Sequence, residues 1–78
     1  QPLKEPRMEA KSEIAGRVLE LVASPGQQLA EDDPIVVLES MKMEIAVTAP
    51  RAGTLREIKV AVDDLVEEDQ VVALMDPA

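Results

Sequence analysis

The chain alternates between short runs rich in Val, Ile and Leu and breaks made of Pro, Gly and acidic residues. The runs fall at residues 17–23, 35–39, 44–48, 55–60 and 71–75, each of strand length. Ser24-Pro25-Gly26 and Pro50-Arg51-Ala52-Gly53 are strong turn signals between them. No stretch keeps an apolar stripe at helical spacing over three turns, so the pattern predicts an all-β domain. In Glu44-Ile45-Ala46-Val47-Thr48 the larger apolar residues alternate, as on a half-buried strand. Residues 35–38 are apolar on both parities, and the pattern leaves their facing open.

A weak internal repeat organises these runs. A shift of 37 residues carries Ala15-Gly16 onto Ala52-Gly53, Glu20 onto Glu57, and Glu31-Asp32 onto Glu68-Asp69. Apolar positions follow without a gap: Val18 meets Leu55, Leu21 meets Ile58, Leu29 meets Val66, Ile35 meets Val72 and Val37 meets Leu74. Two similar halves imply a pseudo-two-fold arrangement in which neither half buries its apolar face alone. Together they predict a small sandwich or flattened barrel with aliphatic residues between two sheets. Glu39 has Asp76 as its counterpart, so the segment Glu39-Ser40-Met41-Lys42-Met43-Glu44 joins the halves on one side and the chain ends lie opposite. The strands meet at Met41-Lys42 with no Gly, Asn, Asp or Pro, the residues a tight hairpin favours. Something other than turn preference selects these side chains.

Size and composition narrow the chemistry. A chain of 78 residues predicts one domain, and a domain this small buries only about 60% of its unfolded surface. With no Cys and no His there are no disulfides, zinc sites of the usual kind, thiol nucleophiles or imidazole bases. No residue is aromatic, which leaves no stacking platform for bases. The net charge of -8 opposes phosphate and anionic lipid, so neither nucleic acid nor membrane is an expected partner. The longest run of Val, Ile and Leu, Ile35 to Leu38, is far short of the roughly 20 residues a spanning helix needs. Residues 1–11 are polar, carry Pro2 and Pro6, and read as a flexible tail or linker end, with the domain proper at 12–78. The chain starts at Gln1, which fits trimming or excision from a longer chain, and nothing there resembles a secretory signal. The expected location is the cytoplasm, with the mitochondrial matrix as the alternative.

Few residues are placed to carry chemistry. An exposed Lys42 is a protonated ammonium with no neighbouring base to activate it, and is a poor catalytic amine. It remains an acceptor for a modifying enzyme that supplies its own base. Met41 and Met43 beside it suit an adaptable contact surface better than a core. Glu39 and Glu44 form a poor acid–base pair, since a chain this short has little room for a dry cleft. The clusters Glu31-Asp32-Asp33, Asp63-Asp64 and Glu67-Glu68-Asp69 lack the calcium-loop spacing and read as solvated turns.

Leu38-Glu39-Ser40-Met41-Lys42-Met43-Glu44-Ile45, with the later Pro50 and Gly53, closely resembles the biotinyl domains, the biotin carboxyl carrier family of the biotin/lipoyl attachment superfamily. Gly16 and Gly26 match that family's glycines in the first half. The resemblance covers nearly the whole domain. It implies a flattened barrel of two small antiparallel sheets, a barrel-sandwich hybrid, with the lysine on an exposed hairpin. It implies that biotin, the expected cofactor, is joined to Lys42 by a biotin protein ligase. Glu39, Ser40, Met41 and Met43 are then the residues read by the ligase or later partners. A biotin carboxylase and a carboxyltransferase are the implied partners, between which the domain carries a carboxyl group as a non-catalytic carrier. There are departures: Asp32, Asp33, Asp63 and Asp69 stand where many relatives have glycine, and no insert forms the protruding thumb of some bacterial carriers. A lipoyl, or dual biotin/lipoyl, carrier of the same fold is the first alternative; Met41 and Met43 argue against a purely lipoyl one. An unmodified β-barrel interaction module is the second.

Overall fold

The computed structural model describes residues 8–78, so the reading of residues 1–7 as a tail lies outside the described residues. Among the described residues there are eight strands and no helix, in the order β1 (Met8–Lys11), β2 (Gly16–Leu21), β3 (Gln28–Leu29), β4 (Pro34–Ser40), β5 (Met43–Thr48), β6 (Gly53–Ile58), β7 (Leu65–Val66) and β8 (Val71–Pro77). They form two four-stranded antiparallel sheets, in the orders β1-β8-β6-β3 and β5-β4-β2-β7. This is the all-β, two-sheet architecture that the alternation predicts. The tail reading is corrected at Met8–Lys11: strand β1 pairs with β8, setting Met8 against Met75 and Ala10 against Ala73. Its sequence is mostly polar because only Ala10 turns fully inward. The two-residue strands β3 and β7 also escape a periodic reading, being shorter than one alternation.

The 37-residue shift is structural. It carries β2 onto β6, β3 onto β7, β4 onto β8, and β1 onto the last four residues of β5. Each sheet therefore takes two strands from each half, and the operation exchanges the sheets. Burial repeats with it. Ala10, Ser12, Val18, Ala23, Leu29, Ile35, Val36 and Leu38 are buried, and so are Val47, Ala49, Leu55, Val60, Val66, Val72, Ala73 and Met75, each 37 residues further on. Each large aliphatic side chain in this set contributes about 1.5–3 kcal/mol by leaving water. Ser12 is the single polar member, and its hydroxyl donates to the Ile14 carbonyl.

Bulges settle the facing that the pattern left open. The β4–β5 register skips Ile35, passing from Pro34 opposite Thr48 to Val36 opposite Val47. An extra residue in one strand lets two neighbours face the same side, and Ile35 and Val36 are both fully buried. The β1–β8 ladder skips Val72 in the same way, and Val72 and Ala73 are both buried. Leu19 in β2 and Arg56 in β6 are the corresponding skipped residues against β4 and β8.

The turns match too. The Gly26 N–H donates to the Leu55 carbonyl (2.7 Å), and the Asp63 N–H donates to the Val18 carbonyl (2.8 Å). Asp32 reaches Ala49 (2.9 Å) as Asp69 reaches Ser12 (2.7 Å). Asp32, Asp63 and Asp69 have φ of 73°, 76° and 68°, the left-handed region that Asp enters more readily than most residues. These are three of the positions at which the sequence departs from glycine; Asp33 is not among the positive-φ residues.

Candidate functional site

Strands β4 and β5 run antiparallel with Ser40 opposite Met43, so Met41-Lys42 is a two-residue hairpin loop. Met41 and Lys42 have φ of 52° and 65°. Positive φ at both central positions makes a type I′ turn, whose twist matches that of the flanking strands. For side chains larger than glycine the left-handed conformation costs about 1–2 kcal/mol per residue. The fold holds this cost at the tip through the ladder behind it, which runs without a break from Ser40–Met43 to Val36–Val47. Leu38, one step from the charged pair at the hairpin base, is fully buried and anchors β4.

At the tip Lys42 is exposed, Met41 is 89% exposed and Met43 62% exposed. The two methionines leave apolar surface in water on either side of an ammonium, as a contact surface requires and a core does not. Ser40 is half-buried at the end of β4. Glu39 and Glu44 face each other across the ladder, a like-charge pair that weakens a hairpin. Nothing encloses them, so they do not form the dry cleft of an acid–base pair.

Glu39 has a second neighbour that sequence reasoning missed. The Arg17 guanidinium of β2 donates to Glu39 (3.1 Å) and to Asp63 (2.8 Å). It ties the hairpin base to the turn before β7. The hydrogen bond to Glu39 is the largest cause holding Arg17 above its ordinary value; desolvation opposes it, and the hydrogen bond to Asp63 and the charges of both carboxylates add to the rise. Of the four neighbours expected to identify the lysine, Ser40, Met41 and Met43 sit at or beside the tip, while Glu39 is engaged in bracing it. Arg17 lies 22 residues from Glu39 and 46 from Asp63, so only strand pairing brings the three together.

An exposed lysine on a strained two-residue loop, between two exposed methionines, is suited to acylation by another protein. Residues 2–75 match the profile of the biotin/lipoyl family, described as "biotin-requiring enzyme". The chain belongs to the biotin/lipoyl attachment family. It is similar to a "biotinylated protein TB7.3 homolog" of Mycobacterium leprae, 40% identical over 67 residues, which cover 86% of this chain and 94% of that one. It is 34% identical over 65 residues to the "biotin/lipoyl attachment protein" of Bacillus subtilis, covering 83% of this chain and 89% of that one. Among solved structures it is similar to the Kluyveromyces lactis urea carboxylase, with a TM-score of 0.87 and 28% identity over 96% of this chain but only 7% of the enzyme. The attachment-domain fold thus occurs both as a protein of this size and as a small part of a large carboxylase.

Proposed function

We propose that this chain is a biotin carrier whose Lys42 Nζ forms an amide with the carboxyl group of biotin, and that the arm so formed moves a carboxyl group from a biotin carboxylase to a carboxyltransferase. The observation that supports this best is the hairpin: an exposed amine at a left-handed tip, flanked by Met41 and Met43. A ligase supplies the activated acyl group and the base that takes the ammonium proton. When bound, biotin supplies the atom that accepts and releases the carboxyl group. The chain's own work is mechanical. The β4–β5 ladder fixes where the arm starts, and the two-sheet body keeps it at high effective concentration near successive active sites. No residue of the chain takes part in bond making beyond Lys42. A second reading, a lipoyl arm on the same lysine, is favoured by the similarity to the Bacillus subtilis biotin/lipoyl attachment protein.

Co-expression with a biotin protein ligase in lipoylating cells tests both. The expected product is a single biotin adduct by intact mass and streptavidin blot, absent from Lys42→Ala, with the net charge one unit more negative than -8. Wild-type chain without an adduct would sink the biotin reading. A lipoyl adduct would favour the second.

A further inference from the structure

The internal repeat supplies its own control surface. A groove of about 530 Å³ beside the hairpin is lined by Ala15, Gly16, Arg17, Met41, Leu65 and Glu67, among others. A second groove of about 520 Å³ at the opposite end is lined by the residues 37 positions away: Ala52, Gly53, Thr54, Ala78, Gln28 and Ala30. The strand pairing corresponds and the volumes are nearly equal. The side chains are not. At the hairpin end Leu65 replaces Gln28 and Met41 replaces Ala78. Leu65 is 78% exposed on a two-residue strand paired only to Gly16 and Arg17. Gln28, in the same ladder position against Thr54, shows that the fold needs no apolar side chain there. An exposed leucine and an exposed methionine lining one groove make a contact surface.

The neighbouring turns differ in charge as well. Asp63, Asp64 and Glu67 stand where the other end has Gly26, Gln27 and Ala30, with one exchange the other way, Gln70 for Asp33. These carboxylates are not demanded by the turns. Asp64 accepts a hydrogen bond from the Ala61 N–H (2.9 Å), and Gln27 does the same for Ser24 (3.1 Å) with an uncharged amide. Arg17 is the cation of the groove lining, and it is held by Glu39 and Asp63. Glu39 and Glu67 in the groove lining, with Asp63 tied to Arg17, leave net negative charge beside the apolar residues.

We propose that this groove is the docking surface for the ligase that acylates Lys42, which inserts an apolar side chain against Leu65 and Met41 and surrounds it with lysines and arginines. The proposal rests on biotin attachment at Lys42. Geometry favours the ligase as occupant. A ligase must bring Nζ itself to its active site, so it has to cover the surface within one lysine side chain of the hairpin. An enzyme that later meets the finished arm is spared that approach by the arm's length. Opposite charges at the rim speed encounter and fix orientation.

The test is ligase kinetics on the 78-residue chain and its variants. Leu65→Gln installs the residue of the other end, and Gln28→Leu makes the reverse change there. For Leu65→Gln the expected result is about a tenfold rise in KM for the carrier with kcat unchanged, the size of a modest interface anchor. Gln28→Leu should match wild type, and KM for wild type should rise with salt. Thermal melts of both variants should overlay wild type, since both positions are exposed. Wild-type KM for Leu65→Gln would overturn the proposal even though wild type is biotinylated. So would normal ligation with impaired carboxyl transfer, which would assign the groove to a carboxylase. Wild-type chain that accepts no biotin would remove the attachment reading and this proposal with it.

Discussion

The end of the molecule that bears Met41-Lys42 and the end that bears Ala78 are two copies of one design. Gly16 lies against the carbonyl of Glu39 at the first, and Gly53 against the carbonyl of Asp76 at the second. The cores behind them correspond residue for residue, with Leu38 facing inward at one end and Met75 at the other. What differs lies on the surface. The hairpin end carries two left-handed side chains at its tip, an arginine bridging two carboxylates, and an exposed Leu65. Shared features are those that packing requires. The unshared ones, a left-handed tip, an exposed ion-pair cluster and an exposed leucine, are not demanded by packing, and they lie at the hairpin end.

The equivalence of the two ends is most severely tested at their glycines. A Cβ at Gly16 would lie 2.7 Å from the Glu39 carbonyl oxygen, and one at Gly53 closer still to that of Asp76. Neither obstacle is a flexible side chain. Gly16→Ala and Gly53→Ala should each destabilise the domain by about 2–3 kcal/mol, as overpacking does, with Gly53→Ala at least as severe in urea unfolding. A near-neutral effect at either end would mean that the two ends are not equivalent.

A smaller effect, of opposite sign, is expected at the tip. Replacing Met41-Lys42 by Asn-Gly gives the turn its favoured residues and should stabilise the domain by about 1–2 kcal/mol, read as a higher urea midpoint. The same variant should accept no biotin. A loss of stability would show that Met41 and Lys42 are held by contacts rather than merely tolerated.

The smallest change is expected for Arg17→Ala, because exposed ion pairs contribute little and less in salt. Its pKa is raised in the folded chain. The contribution is therefore complete throughout the neutral range and fades only when strongly alkaline pH removes the guanidinium proton. Urea midpoints of wild type and Arg17→Ala should stay parallel across neutral pH. Divergence there would point to another titrating group at the hairpin base.

Much of this is legible in the chain itself. Five strands announce themselves as short runs of Val, Ile and Leu between turn signals, and the 37-residue repeat foretells which core positions are equivalent. The hairpin lysine is legible because Met41, Lys42 and Met43 violate the usual turn chemistry in the middle of an otherwise regular pattern. Strand β1 is not, since in Met8-Glu9-Ala10-Lys11 only Ala10 is fully buried and the segment becomes a strand by pairing with β8. The facing of residues 35–38 is not either, because a bulge at Ile35 resets the alternation and only the partner strand reveals it.

The sequence alone determined the class of fold, the two-fold plan and the residue at the centre of the site, because these depend on local patterns of apolar side chains and turns. Tertiary structure alone decided what surrounds that residue. Arg17 meets Glu39 and Asp63, and Leu65 meets Met41's groove, across separations that only sheet pairing closes. The physical reason is that periodicity records which way a side chain faces along its own strand, whereas a binding surface is made by neighbours from different strands.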